Sequence, residues 1–447
     1  MKPCSAGRVT VLHRTEPVAA LPPGLAFRER ALSREIKPGL ARLKRVRDRV
    51  SPTLPAPLIS VAGTNGKGSV CRGLEALALA HGLRVAVYLS PHLLRLNERF
   101  RLNGVDVDDA RLAQAAARVA AAAGASELTV FEFDTMVAAV LCAMESARAG
   151  LDLVVFEVGL GGRLDAVNAW DADVAVITAI ALDHQQWLGE DRAAIGREKA
   201  GIMRPGTPCV CGDPQLPQSI ADHARALGAP LHRLGHEFDM AQRGAGFRDT
   251  LGDVALPQCC ISGDGQQRNV ATALAAWRQL PSRLTAAASA AALTDGLDAL
   301  CRQRLPGRQQ HGVEPVDHWL DVAHNPHAAQ ALAARLAATP VAGRTLAVFG
   351  ALADKDLAGM IAAMAPVVDG WYLGALAAPR GLGKAALRRR FQATPAVAGL
   401  RAAQGCDSIA EAWAQALLDH RPGDRIVVFG SFHTVAEVMR LQSSGGC

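Results

Sequence analysis

Four apolar runs of strand length constrain the first half of the chain: "LISVA" at 58–62, "RVAVYLS" at 84–90, "DLVVFEVG" at 152–159 and "DVAVITAI" at 173–180. Helical or loop segments separate each from the next. Continuous apolar runs belong to strands covered on both faces, and strands interleaved with helices are joined in parallel. The expected architecture is α/β, built on a parallel sheet. The Ala-rich segment 110–123 reads as a covering helix, with an aspartate start and a glycine stop, rather than as low complexity.

A second alternating series follows "RLPGRQQHG" at 304–312: "HWLDVAHN", a helix from Pro326, "TLAVFGAL", another helix, "GWYLGAL", a helix over 384–392, a helix from Ser408, and "DRIVVFGSF" before a closing helix. The Pro306-Gly307 turn interrupts both patterns and predicts a boundary, with one domain over 1–307 and a smaller one over 308–447.

The first strand runs into "AGTNGKGS". A phosphate cradle needs a buried strand, glycines that expose backbone N–H groups, a lysine, and a helix N-terminus whose dipole favours anions. All four are present here in order. The loop departs from GxxxxGK[ST], with Val61 where the first glycine would fall and Gly68 where the hydroxyl would fall. Only seven of the 48 basic residues are lysines, and Lys67, Lys199 and Lys355 are three of them. In a chain that otherwise prefers Arg, these mark places that need a compact, titratable ammonium.

Glu157 ends an apolar strand at the position where open parallel sheets bind ligands. It should meet a cation there, either Mg²⁺ beside a nucleotide or Arg163. Asp183 and His184 occupy a third strand end. Glu198 and Lys199, adjacent in "IGREKAGI", point to different helix faces, which leaves a solvated face as an equal reading. Asp321 and His324 precede a Pro-started helix, placed to touch a ribose or phosphate across an interdomain cleft.

Composition excludes other classes. With 4% aromatics and dispersed basic residues, the +6 net charge does not describe a nucleic-acid binder. No run reaches the length of a membrane span, and the N-terminus carries no apolar signal segment, so a cytoplasmic protein is expected. The ten cysteines lack metal spacing and read as buried, reduced thiols.

Eight motifs in order, "GTNGKGS", "SPHLLRLNERFRLNG", "EVGLGGRLDAVN", "ITAIALDHQQWLG", "REKAGI", "DVAHNP", "ADKD" and "FGSFHTVAEV", span residues 63–438. Together they resemble the folylpolyglutamate synthase/dihydrofolate synthase family of the Mur ligase superfamily, whose loop is GTNGKG[ST]. The resemblance implies a P-loop parallel-sheet ATP-binding domain followed by a smaller Rossmann-like α/β domain. It also implies an ATP-dependent amide ligase that joins L-glutamate to dihydropteroate or folates through an acyl phosphate. By the same resemblance Thr64, Asn65, Gly66 and Lys67 hold the ATP phosphates, and Asn269, Arg308 and Asp321 contact ATP. Ser90, Glu157 and His184 ligate Mg²⁺, with two magnesium sites expected. Lys199 carries a CO₂-derived carbamate, and His324 positions the γ-phosphate or assists proton removal. Thr129, Val130, Phe131 and Glu132, with Leu164, Asp165 and Ala166, hold the pteroate, and "REIKPGLARLKRV" at 34–46 forms the N-terminal pteroate-side loop. The expected partners are small molecules only, and the expected state is a monomer.

Three departures stand out: Gln309 in place of Phe, Val167 in place of Thr, and a longer segment between Thr135 and Glu157. The rivals are a cell-wall Mur ligase, for which the 57 residues before Leu58 are too few to form the expected preceding domain, a P-loop kinase or regulatory ATPase, and a non-enzymatic scaffold.

Overall fold

The computed structural model describes residues 23–31, 37–54, 56–124, 128–240, 246–256, 263–285, 290–302, 305–397 and 403–444. Residues 34–36 of the expected N-terminal pteroate-side loop lie outside them. Eight strands form the first sheet: β1 (Leu58–Ala62), β2 (Val85–Tyr88), β3 (Phe100–Leu102), β4 (Val105–Asp106), β5 (Leu153–Glu157), β6 (Val174–Ile177), β7 (Cys209–Cys211) and β8 (Leu231–Arg233). Their order is β4-β3-β2-β5-β1-β6-β7-β8. All neighbours are parallel except the β2–β3 and β3–β4 pairs.

Both faces of this sheet are buried, which is why its strands read as unbroken apolar runs. Leu58, Val154 and Phe156 belong to one apolar cluster, whereas Ile59, Val61 and Val155 belong to the other. Helix Val130–Ala149 packs on the first face. Helix Lys67–Ala80 packs on the second, covered in turn by Asp264–Trp277 and Ala290–Arg302. The Ala-rich helix spans Asp109–Ala123, with Asp108 accepting the Arg111 N–H at its start.

Register explains why distant motifs converge. Val61 lies beside Glu157, Ala62 beside Ile177, and Tyr88 beside Phe156. The chain leaving β1, β2, β5 and β6 therefore emerges at one edge, the carboxyl edge of the sheet.

A small antiparallel sheet of β9 (Phe238–Met240), β10 (Gly246–Asp249) and β11 (Gly252–Ala255) was not anticipated by the alternation. Its strands have three or four residues each, too few to carry a period. The remaining sheet contains β12 (Gln310–Gly312), β13 (His318–Leu320), β14 (Thr345–Phe349), β15 (Gly370–Gly374), β16 (Gln404–Cys406) and β17 (Arg425–Phe429), in the order β12-β13-β17-β14-β15-β16. It is parallel apart from the β12–β13 edge pair. Phe349, Trp371 and Phe429 pack together on one of its faces.

Cys71, Cys142, Cys209, Cys211 and Cys406 are buried free thiols, as expected. Cys301 is disulfide-bonded, which corrects the reading of every cysteine as reduced.

Phe156 is fully buried and packs edge-on against Tyr88 and Trp170 immediately before Glu157. Phe156→Ala should cost about 3–5 kcal/mol, read as a lower denaturant midpoint. A loss below about 1 kcal/mol would show that the aromatic cluster does not anchor the end of β5.

Candidate functional site

A cleft of ≈ 1450 Å³ runs between the carboxyl edge of the first sheet and the second sheet. Its floor is the loop after β1. Gly66 takes φ 93° just before helix Lys67–Ala80, and no side chain caps that helix. The free N–H groups of the first turn therefore face the cleft with the positive end of the helix dipole. A Cβ on Gly66 would come within 2.3 Å of Asn269 Oδ1, so glycine is needed there both for its dihedral angle and for space. Lys67 Nζ arches back to the carbonyls of Gly63 and Thr64, at 3.1 and 3.3 Å. Thr64 Oγ1 donates to Ala181 O and accepts from Ala181 N, tying the loop to the segment after β6.

Gly68, the residue in the hydroxyl's usual place, has its open side toward Glu157, whose Oε2 would lie 3.8 Å from an added Cβ. The glycine leaves room in front of a carboxylate that stands ready to hold a cation. Glu157 is buried and accepts the Ser90 N–H at 2.8 Å. Burial raises its pKa, an effect opposed by Lys67, the Ser90 N–H and more distant arginines. Arg163, the rival partner for Glu157, instead pairs with Glu198 at 2.9 Å.

That pairing separates the two faces of helix Arg192–Ala200. Glu198 faces outward to Arg163, whereas Lys199 is 2% exposed and lines the cleft. Its ammonium has no hydrogen-bond or ion-pair partner among the described residues. Burial, and then the charge of Lys67, lower its pKa to about 7. The "GLGG" turn makes this approach possible, since a Cβ on Gly162 would come within 2.7 Å of Glu198 O and 2.8 Å of Lys199 O.

The other wall belongs to the second sheet. Lys355 Nζ reaches Asp183 Oδ1 at 2.6 Å and His184 Nε2 at 3.3 Å. His324 Nε2 stands 3.4 Å from Asp183 Oδ2, and Asn325 Nδ2 donates to the same oxygen at 3.3 Å. Burial alone would raise the Asp183 pKa, but His324, His184 and Lys355 together hold it far below the carboxylate range. His184 sits at φ 52°, and its Nδ1 is buried without a partner. Burial lowers its pKa to about 4 against the pull of Asp183, so the ring is neutral and able to act as a ligand.

Asn65, expected to face phosphate, exchanges hydrogen bonds with Asn325 (3.2 and 3.1 Å) and meets His327 Nδ1 at 3.0 Å. Arg308 lies over the Phe432 ring at 4.7 Å, near Asp321, whose carboxylate accepts the N–H groups of Gln309 and Ala323. Gln309, the departure from Phe, adopts φ 43° and contributes its backbone N–H to this turn.

Thr64, Asn65, Gly66, Lys67, Ser90, Glu157, His184, Lys199, Asn269, Arg308, Asp321 and His324 all line this one cleft. The seven pteroate-side positions do not gather in the same way, and Val130 alone of them lines it. Thr129 and Glu132 close the N-terminus of helix Val130–Ala149 as a reciprocal cap, and Glu132 also pairs with Arg42 at 3.0 Å. Phe131 packs against Gly159 and Tyr88. Asp165 accepts the Leu160 and Val167 N–H groups, with burial raising its pKa to about 6, and Ala166 is buried. Leu164 is likewise absent from the cleft wall.

Asp183, Lys355, Asn325 and His327 were given no role from sequence. The scarcity of lysine was the available signal for Lys355. Among the described residues no three His, Cys, Asp or Glu side chains cluster as a metal site. The available set is one carboxylate, one neutral imidazole and one serine, too few to enclose a metal. It fits Mg²⁺ held partly by phosphate oxygens and water.

Residues 307–432 match the family described as Mur ligase, glutamate ligase domain. The dihydrofolate synthase/folylpolyglutamate synthase of Escherichia coli strain K12 is 43% identical, over 98% of this chain and 100% of that protein. A structure of the Escherichia coli enzyme in complex with DHPP and ADP superposes with a TM-score of 0.84 at 42% identity, covering 96% of this chain and 99% of that one. A crystal structure of a bifunctional folylpolyglutamate synthase/dihydrofolate synthase with Mn, AMPPNP and L-glutamate bound gives 0.83 at 43% identity, covering 96% and 98%.

The depressed Lys199 pKa has a definite linkage sign. Between about 7 and the ordinary 10.5 the unfolded chain holds this proton and the folded one does not, so this group's contribution to stability rises with pH across that window. Wild type should gain stability relative to Lys199→Met between pH 7 and pH 10 in paired denaturant melts. Parallel pH profiles would show that Lys199 stays charged in the folded protein.

Proposed function

The chain belongs to the dihydrofolate synthase/folylpolyglutamate synthase family, and from that premise we propose an ATP-dependent ligase that adds L-glutamate both to dihydropteroate and to folylglutamates. Residues 1–307 form its ATP-binding domain and 308–447 its ligase domain. What carries this reading is the convergence of Lys67, Glu157, His184 and Lys199 beneath Arg308, Asp321 and His324 in one cleft.

A carboxylate does not acylate an amine in water, so the acceptor carboxylate first takes the ATP γ-phosphoryl group as an acyl phosphate. Lys67 and the uncapped helix N-terminus offset charge on the phosphoryl oxygens. Thr64, Asn65 and Gly66 shape that cradle, while Asn269, Arg308 and Asp321 hold the rest of the nucleotide. Glu157, Ser90 and His184 would hold magnesium, which when bound would supply charge neutralisation and orientation of the phosphates. The amine of L-glutamate then attacks the acyl carbon and phosphate leaves. His324, held between the Val322 carbonyl and Asp183, is assigned to positioning the γ-phosphate or to assisting proton removal. The second domain excludes water from the acyl phosphate.

Lys199, neutral over part of the physiological range, adds CO₂ to form a carbamate, which an arginine cannot do. Val130 lines the pteroate side directly, and Thr129, Phe131, Glu132, Leu164, Asp165 and Ala166 shape that wall from behind. The proposed enzyme works on small molecules as a cytoplasmic monomer, a reading that rests on the family resemblance. No described helix is long and apolar enough to cross a membrane.

ADP should form only when L-glutamate and either dihydropteroate or a tetrahydrofolate are both present, with a glutamylated product from each acceptor offered alone. ADP release without glutamate would favour the kinase or ATPase reading, and turnover of one acceptor only would remove the second activity. Lys199→Arg should lower kcat on the order of a hundredfold or more, and a carbamate signal from ¹³C-labelled bicarbonate should be present in wild type and absent from the variant. Full activity of Lys199→Arg would rule out the carbamate.

A further inference from the structure

The pteroate side of the cleft contains a cation cluster that the reading above does not use. Glu98 accepts the backbone N–H groups of Leu93, Leu94 and Arg95 at 2.7, 2.8 and 2.7 Å, folding the loop after Ser90 so that His92 and Arg99 face each other. Arg99 Nε donates to His92 Nδ1 at 2.8 Å, and its Nη1 donates to Asp134 Oδ2 at 3.0 Å. Asp134 is 1% exposed and also receives Arg28 Nε on Oδ1 at 2.8 Å and Arg28 Nη2 on Oδ2 at 3.1 Å. Two guanidiniums thus share one buried carboxylate. Glu29 stands 3.6 Å from Arg28 Nη1, half-exposed at the rim.

Arg28, Arg99 and His92 line the cleft, whereas Asp134 lies behind them. Arg99 Nη2 makes no hydrogen bond among the described residues, although the side chain is only 11% exposed. A nearly buried guanidinium with an unused edge is costly unless an anion completes it. The cluster lies between two parts of the site. On one side is Glu157, close enough to feel the charge of Arg99. On the other is Val130, one helical turn before Asp134. An acceptor bound against Val130 with its reacting carboxylate near Glu157 would pass Arg99 on the way.

We propose that Arg99, braced by Arg28 through Asp134, binds the α-carboxylate of the glutamyl residue already present on a folate acceptor. The proposal rests on the ligase reading and deepens it. Dihydropteroate presents a single carboxylate, the one that reacts, and leaves Arg99 Nη2 unpaired. A folylglutamate presents a second carboxylate beside the reacting one, and the planar guanidinium fork matches it. Arg99 is thereby a specificity-determining residue that favours acceptors with a glutamyl residue, while the rest of the pteroate wall serves both.

The test compares two ligands that differ only in that group, pteroylglutamate and pteroyl-γ-aminobutyrate, by calorimetry on the full chain with Mg²⁺ and a non-hydrolysable ATP analogue. Wild type should bind pteroylglutamate about tenfold or more tightly. Arg99→Gln should bring the ratio close to one, and Arg28→Gln should reduce it by loosening the brace. Equal binding of the two ligands by wild type, or an unchanged ratio in Arg99→Gln, overturns the proposal. So does a wild-type ratio that collapses under saturating L-glutamate, which would assign the guanidinium to the incoming amino acid. If Arg99→Gln fails to fold, Arg99→Lys, which keeps the charge but loses the planar fork, takes its place and should lower the ratio, and an unchanged ratio there overturns the proposal. Failure to bind either ligand would overturn the ligase reading as well, an outcome distinct from equal binding.

Discussion

The buried carboxylate of Asp183 joins the two halves of the molecule. It stands in the segment after β6 and receives Lys355, His324 and Asn325 from the loops of the second sheet. A buried carboxylate with these partners remains ionised, and stripping it of them would leave an uncompensated charge in the interior. The interaction also sets the shape of the site. Asn325 donates to Asp183 and to Asn65, so the same residue that closes the interface fixes the side chain of the phosphate loop. Lys355 contacts both Asp183 and His184, and so bears on an imidazole that lines the cleft. The packing of the two sheets' loops and the geometry of the loop after β1 are therefore one electrostatic arrangement.

Within the arrangement, burial sorts the titratable groups into roles. Glu157 and Lys199 are both removed from water, and burial favours the neutral form of each. For Glu157 this is offset in part by Lys67 and a backbone N–H, leaving a carboxylate that gains from a further cation. For Lys199, nearby Lys67 adds to the effect of burial, leaving an amine that is easily deprotonated. Lys67 therefore reinforces burial at Lys199 and opposes it at Glu157. Gly68 and Gly162 allow this density of function, one by leaving room in front of Glu157 and the other by letting a turn lie directly on the backbone beside Lys199.

Much of this was legible in the sequence. The unbroken apolar runs gave the parallel sheets because both faces of each central strand are covered. The glycine-lysine loop was legible as a strand-to-helix turn with an open helix N-terminus because those features are local. The scarcity of lysine singled out Lys67, Lys199 and Lys355. The pteroate-side segments were less transparent. "TVFE" begins a helix, and its Thr and Glu satisfy backbone donors there, so of 129–132 only Val130 reaches the cleft. The sheet over 238–255 was missed because three- and four-residue strands carry no readable period, and the Cys301 disulfide because spacing alone does not reveal pairing.

The sequence by itself determined the longer elements, the glycine-lysine turn after β1 and the identity of the chemical groups, since each depends on residues near one another along the chain. Only the tertiary structure decided which groups meet. Glu157 rather than Glu198 faces the cleft because Arg163 takes Glu198. Asp183 rather than His184 alone binds the second domain because Lys355 and His324 arrive from 172 and 141 residues away. Arg28, Asp134 and Arg99 form one cluster because helix packing brings together residues as far as 106 positions apart. Local pattern does not encode such pairings, since they depend on register between strands and on the docking of helices, and burial then sets the charge each group carries.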